Sequence, residues 1–101
     1  MSTVSITIAK VKDPKNRDRE VRLNGWIYRS RGSNKMIFIV LRDSTGIIQC
    51  VGSKKDLGEE NFKEARSLNI ESSVQVTGKV NVDKRAPDGF EIHMSGVKAI
   101  S

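Results

Sequence analysis

The chain has 101 residues, of which 18 are Lys or Arg and 12 are Asp or Glu, so its formal net charge is +6. This length fits one small domain with a single core, and the positive charge favours a polyanionic partner without deciding the fold. The single cysteine, Cys50, excludes an intramolecular disulfide, and the longest apolar run, over residues 36–41, is far shorter than the ~20 residues of a membrane span. We therefore expect a cytoplasmic protein without a membrane partner.

The N-terminal part of the chain is predicted to be an extension, residues 1–20, that precedes the folded domain, residues 21–101. Apolar side chains alternate over residues 4–8, as in a strand, and residues 13–19 form a polar loop that contains a proline. The core is therefore expected to begin near Val21.

The first two strands of the domain are predicted from alternating apolar residues. Val21, Leu23 and Ile27 share one face of the first strand, and Gly25 lies where a barrel strand can bend or be closely approached. The second strand, over residues 36–42, is apolar on both faces. Either both faces of this strand are covered, or one of them is a binding surface.

The remaining pattern indicates an all-β fold with one helix. Gly46, in the turn after the second strand, is expected at a positive φ. Further elements are predicted as a third strand over residues 47–51, an amphipathic helix over 57–68, a fourth strand over 74–83 and a fifth over 90–94. Five strands with a helix between the third and fourth is the order of an OB-fold, a Greek-key barrel that binds oligonucleotides. Other small barrels are the alternative.

Phe38 is the first candidate for a binding residue. If Ile37, Ile39 and Leu41 form the inward face of the second strand, Phe38 points outward. An exposed aromatic ring on that strand provides a stacking platform for an unpaired base, worth about 1–3 kcal/mol per base. The alternative is that Phe38 lies in the core or beneath the N-terminal segment.

Polar side chains on the neighbouring strands complete the candidate site. The amide of Gln49 can donate to and accept from a base edge, and Arg29 and Arg31 can stack on bases or bind phosphates. A solvated strand end in a basic protein with no nucleic-acid role explains the two arginines equally well. The convergence of arginine, phenylalanine and glutamine on adjacent strands favours the binding site. Trp26 is more readily interpreted as a packing residue, and Tyr28 is left open.

The chain offers no catalytic or metal-binding constellation. His93 is the only histidine, no cysteine lies at metal-ligand spacing from it, and a surface position is expected. No serine, histidine and aspartate set and no glycine-rich phosphate loop can be assembled. We therefore expect no catalytic residue, no metal and no cofactor in this chain.

Three stretches, over residues 21–49, 71–80 and 85–92, resemble the N-terminal anticodon-binding domain of aspartyl-, asparaginyl- and lysyl-tRNA synthetases, over about four-fifths of the chain. The most specific parts are the Gly-Trp-Ile strand that ends in arginines, and the Phe-Ile-Val-Leu-Arg-Asp-Ser-Thr-Gly-Ile-Ile-Gln pair of strands over residues 38–49. Within this family, the stretch Arg-Ala-Pro-Asp-Gly-Phe-Glu is most similar to asparaginyl enzymes. The resemblance therefore favours asparagine over aspartate or lysine.

The resemblance implies roles for the candidate residues. Phe38 would stack on the central anticodon base and Gln49 would recognise its edge. The family's arginine on the first strand corresponds to Arg31, with Arg29 as its neighbour, and Glu91 would help to recognise the first base. Where some aspartyl enzymes carry an arginine after the fourth strand, this chain has Asp83, so no residue is assigned to the third base.

The resemblance also implies a module of a larger enzyme. The chain stops at Ser101, before any class II catalytic core, so the chain alone is expected not to aminoacylate. ATP and Mg²⁺ are expected only in a catalytic domain of the parent protein, C-terminal to this segment, and a homodimer only in that full-length parent. The expected partner is the tRNA anticodon loop. The alternatives are a freestanding single-stranded nucleic-acid-binding OB protein and a protein-interaction OB domain.

Overall fold

Five strands close into a barrel in the computed structural model, which describes residues 3–100. After a short strand β1 (Val4–Ser5), the barrel strands are β2 (Glu20–Gly32), β3 (Met36–Asp43), β4 (Gly46–Ser53), β5 (Ser73–Val82) and β6 (Phe90–Ala99). Antiparallel pairs join β2 to β3, β3 to β4 and β5 to β6, while β5 also pairs with β2 and β4 pairs in parallel with β6. The all-β OB-fold predicted from the sequence is confirmed.

The segment before β2 packs against the barrel. β1 lies parallel to β2, and a short helix, α1 (Ile8–Val11), follows it and buries Ile8 and Val11 completely. Apolar alternation predicted a strand as far as Ile8, but the Thr7 hydroxyl caps α1 and ends the extended segment earlier. The core thus includes residues from both sides of residue 20, and the division into an extension and a domain stays a prediction.

Two helices connect β4 to β5, where a single helix was predicted. They are α2 (Lys54–Leu57) and α3 (Glu59–Ser67), separated by Gly58 at φ 83°. This left-handed conformation favours glycine and interrupts the helical hydrogen bonds. Phe62 and Ala65 of α3 are buried against the barrel, at the three-residue spacing seen in the sequence. No helix within residues 3–100 has both the length and the apolar character needed to span a membrane.

The barrel interior is filled by the alternate apolar residues of each strand. On β3 the buried residues are Ile37, Ile39 and Leu41, while the intervening Phe38 is only partly buried. Cys50 is completely buried, and this burial raises the pKa of its thiol, as expected for a core residue. The inward and outward faces of β3 therefore follow the predicted alternation.

The hairpin between β3 and β4 is closed by Asp43 and not by a positive φ at Gly46, so that prediction is wrong. Oδ1 of Asp43 accepts hydrogen bonds from the backbone N–H groups of Thr45 (2.7 Å) and Gly46 (3.1 Å). Oδ2 accepts from the N–H of Ile8 at 3.0 Å. The Asp43 carboxylate therefore stabilises the turn by accepting hydrogen bonds from its backbone, without a positive φ at Gly46. Its hydrogen bond with Ile8 also links α1 to the barrel.

Asp43→Asn should destabilise the fold by about 1–2 kcal/mol at neutral pH, because the amide nitrogen cannot accept a hydrogen bond. Burial alone would raise the pKa of the Asp43 carboxyl, but the hydrogen bonds it accepts outweigh burial and hold the pKa below its ordinary value. Its contribution to stability is thus present above the ordinary pKa and is lost as pH falls through the lower folded-state value.

Urea unfolding of both proteins across this acidic range measures the effect. The difference in unfolding free energy between wild type and Asp43→Asn should shrink as the pH falls. The exposed aspartate of α2 provides the control, Asp56→Asn. If the difference in unfolding free energy between wild type and Asp43→Asn does not change with pH, the ionised Asp43 carboxylate does not stabilise the turn.

Candidate nucleic-acid interface

A β-bulge in β2, between Ile27 and Arg29, decides which side chains of this strand face outward. Side chains alternate along an unbroken strand, which would place Arg29 and Arg31 on the inward face with Ile27. Tyr28 is the extra residue, and beyond it the phase is reversed. Ile27 is buried, whereas Arg31 is exposed and pairs with Phe38 of β3.

Two rows of side chains cross the outer surface of the barrel, because paired residues on neighbouring strands point to the same side. In the strand order β2, β3, β4, β6, the first row consists of Arg31, Phe38, Val51 and His93, and the second of Arg29, Val40, Gln49 and Glu91. We call these eight residues the outer face. All five residues proposed from the sequence lie on it, and their contacts with a ligand stay a prediction.

Phe38 lies at the centre of the first row with one arginine beside it. The Cζ atom of Arg31 lies 5.0 Å from the centroid of the Phe38 ring, within the range of a cation–π contact. Phe38 is only partly buried, while its neighbours Ile37 and Ile39 are in the core. The side chain therefore belongs to the surface, where a guanidinium group and an aromatic ring present two planar groups to a ligand.

Glu91 is held in place by two neighbours. Its Oε1 accepts a hydrogen bond from Nδ2 of Asn81 at 3.0 Å and lies 2.9 Å from Nε2 of His93. The carboxylate is only 14% exposed. Glu91 pairs in register with Gln49 of β4, which is itself partly exposed, so an acceptor and an amide lie side by side. Sequence analysis missed Asn81, although it alternates with the valines along β5 and therefore faces outward.

A second aromatic group lies next to the second row. The ring centroid of Tyr28 is 5.2 Å from Cζ of Arg29 and 5.5 Å from Cζ of Arg42, and the residue is 36% exposed. Arg42 pairs with Ile47, which is 44% exposed. The sequence left Tyr28 open and assigned no role to Arg42. Arg42 and Phe38 are four residues apart on β3 and therefore face the same side, which was the sequence signal that places Arg42 outward.

The charge of the outer face is positive. Within residues 3–100, none of Arg29, Arg31 and Arg42 forms an ion pair with a carboxylate. Arg85, in the loop between β5 and β6, differs in that its guanidinium contacts Asp83 through two hydrogen bonds of 3.2 and 3.3 Å. These hydrogen bonds hold the pKa of Asp83 below its usual value. Arg29, Arg31 and Arg42 are thus available to bind an external anion.

Comparisons with known proteins identify similar chains. A tRNA anti-codon family model, described as an OB-fold nucleic acid binding domain, matches residues 21–100. Asparagine–tRNA ligase of Chloroflexus aurantiacus is 46% identical over 82 residues, which cover 81% of this chain and 19% of the ligase. Asparagine–tRNA ligase of Thermococcus kodakarensis is 52% identical over 79 residues, covering 78% and 18% of the two chains. The crystal structure of asparaginyl-tRNA synthetase from Pyrococcus horikoshii matches with a TM-score of 0.87 and 43% identity, over 95% of this chain and 23% of that chain.

The resemblance seen in the sequence is confirmed by these comparisons, including its asparaginyl character. The chain spans about a fifth of the length of the curated relatives it matches. Among the residues that the structure describes, no three His, Cys, Asp or Glu side chains converge as metal ligands. The side chains of the outer face can stack on planar groups, form hydrogen bonds and bind anions.

Proposed function

Because the chain belongs to the tRNA anti-codon family of OB-fold nucleic acid binding domains, we propose that it is the anticodon-recognition module of an asparaginyl-type tRNA synthetase. The observation that carries the proposal is the pair of rows on the outer face, which brings an aromatic ring, an amide, a carboxylate and two unpaired arginines together. These are the groups that bind unstacked bases and the phosphates between them.

The central anticodon base, in this proposal, stacks on Phe38 and is recognised by Gln49. The two side chains lie in adjacent rows, on neighbouring strands, so one base can cover the ring while its edge reaches the amide. The Gln49 amide can both donate to and accept from the edge of uridine, which is the central base of the asparagine anticodon. Stacking provides affinity for any base, and the amide provides the preference for one.

The first anticodon base is assigned to Glu91. Asn81 and His93 both contact its Oε1, and within residues 3–100 its Oε2 has no hydrogen-bond partner. A free carboxylate oxygen accepts from base N–H groups, such as those of guanine. Arg29 and Arg31 would bind the phosphates. No residue is assigned to the third base, since Arg85 is engaged with Asp83.

The wider role follows from the same proposal. The chain by itself binds the tRNA anticodon loop and does not charge tRNA, while ATP and Mg²⁺ act in a catalytic domain of a parent ligase, which would also form the homodimer. The cytoplasm is the proposed location, where tRNA is charged. This proposal is supported by the relatives, which are tRNA ligases that the chain matches in one part only.

Binding to anticodon stem-loops tests the proposal. The asparagine stem-loop should bind more tightly than a DNA strand of the same loop sequence, because the family to which the chain belongs recognises RNA. Its affinity should fall with salt at a log–log slope of about −1.4, if Arg29 and Arg31 each contact one single-stranded phosphate. Fluorescence titration over a salt series measures both quantities.

The alternatives predict other outcomes of the same titration. Equal affinity for the RNA and DNA strands would indicate a general single-strand-binding protein. Affinity that does not respond to salt, or no binding at all, would favour a protein-interaction domain. The affinities for the aspartate and lysine anticodon stem-loops, compared with the asparagine stem-loop, identify the cognate amino acid.

A further inference from the structure

A groove with a volume of about 590 Å³ opens at the end of the outer face, beside Arg31. One wall is the end of β2 and the other is the C-terminal part of α3 with the loop that follows it. Its walls include Ser30, Arg31, Arg66, Asn69 and Ile70. The described residues that line it include two arginines and no carboxylate, so the groove is positively charged and has hydroxyl and amide groups beside the charge.

Arg66 supplies the second cationic wall. It is exposed, and within residues 3–100 it forms no ion pair. Its Cζ atom lies 5.9 Å from the ring centroid of Phe62, which is buried in the core and therefore gives the guanidinium a fixed support. The Arg66 side chain is thus directed by packing and not by a neighbouring acid.

The positive surface continues past Arg66. A second groove, of about 610 Å³, is lined by Arg66 together with Lys54 and Lys63. Its one acidic lining residue is Glu59, whose Oε1 lies 3.9 Å from Nζ of Lys54. In the part of the chain that the structure describes, Lys63 and Arg66 form no ion pair with a carboxylate. Uncompensated positive charge is therefore present on both sides of Arg66, at Arg31 in one groove and at Lys63 in the other.

The groove beside Arg31 has the size and chemistry for one nucleotide. Its volume lies within the ~300–1,000 Å³ of small-ligand pockets. Arginine pairs bind phosphate through charged hydrogen bonds, and the exposed side chain of Ile70, at 56%, offers apolar surface to a sugar. Arg31 belongs both to this groove and to the contact with Phe38, so a strand stacked on Phe38 leads into the groove.

We propose that this groove binds the backbone phosphate of a loop nucleotide that flanks the anticodon, held between Arg31 and Arg66. The proposal rests on the proposed function, because it extends the path of the RNA from the stacking residue. It adds a contact that is independent of base identity and that involves α3, an element outside the strands of the binding face.

Arg66→Ala should weaken binding of the asparagine anticodon stem-loop roughly fivefold and make the log–log salt slope shallower by about 0.7, the effect of one lost phosphate contact. Arg66→Lys should keep the slope. The matched control is Arg17→Ala, which removes the same charge from an exposed position in the N-terminal segment, outside both grooves. Because both arginines are exposed, each variant should unfold at the wild-type denaturant concentration.

Neutral methylphosphonate linkages in the stem-loop locate the contact. One linkage flanking the anticodon should weaken binding to the wild-type chain more than binding to Arg66→Ala, in which only Arg31 is left to contact that phosphate. Equal losses for Arg66→Ala and Arg17→Ala would overturn this inference, while a loss with Phe38→Ala would show that the anticodon proposal stands without it. If the wild-type chain does not bind the stem-loop, both proposals fall together.

Discussion

Phe38→Ala should weaken binding of the asparagine anticodon stem-loop by about 1–3 kcal/mol and leave the domain folded. The ring lies on the outer face beside Arg31, so its removal deletes a stacking surface and opens no cavity in the core. The loss should be similar whichever base occupies the central position, because stacking does not depend on base identity. Titration with stem-loops that differ only at this base measures it.

Two variants separate stacking from the other effects. Phe62→Ala removes the same ring from the core and should cost about 3–5 kcal/mol of unfolding free energy. Gln49→Ala should instead narrow the gap between uridine and other central bases, with a smaller loss of affinity. If Phe38→Ala unfolds the domain while the folded fraction binds normally, Phe38 is a structural residue and the central assignment is wrong.

Gly25→Ala should destabilise the barrel by about 3 kcal/mol, at the upper end of ordinary overpacking. A Cβ atom at this position would lie 2.3 Å from the backbone carbonyl oxygen of Arg42. Neither strand can relieve this contact by rotating a side chain, because the obstructing atom belongs to the main chain of β3. Chemical denaturation monitored by Trp26 fluorescence measures the loss.

Gly96→Ala is the matched control for this substitution. A Cβ atom at Gly96 meets no atom within 4 Å, although the residue also lies in a barrel strand. The same methyl group should therefore have little effect there. Equal stabilities of the two variants would mean that β2 and β3 can separate at Gly25 without cost.

The sequence predicted those features that depend on local alternation. Side chains alternate along β3, so inward-facing Ile37, Ile39 and Leu41 imply that Phe38 faces outward. The position of Phe38 could therefore be predicted. Gly25 was correctly marked as a point of close approach, because a glycine within an apolar strand often lies where a second backbone comes too near for a side chain. Gly46 was assigned a positive φ from its place in the turn, but the Asp43 carboxylate, whose contact with Ile8 is long-range, stabilises the turn instead.

Features that depend on pairing between distant segments were beyond the sequence. The alternation of β2 placed Arg29 and Arg31 on the side of Ile27, and only the register with β3 reveals the extra residue, Tyr28, between Ile27 and Arg29. Asn81 donates a hydrogen bond to Glu91 on the adjacent strand. Arg66 lines the groove beside Arg31 because α3 packs against the barrel. These contacts depend on the register between strands and on the docking of α3, so the alternation within one strand does not reveal them.

The bulge at Tyr28 divides β2 into two parts with different packing constraints. Before it, Val21, Leu23 and Ile27 fill the barrel, so a change at these positions alters the volume and packing of the core. Residues after it face solvent, so Arg29 and Arg31 can be replaced without altering any buried contact. One inserted residue thus allows the ligand preference of this surface to diverge, by mutation or by design, while the barrel that supports it stays constant.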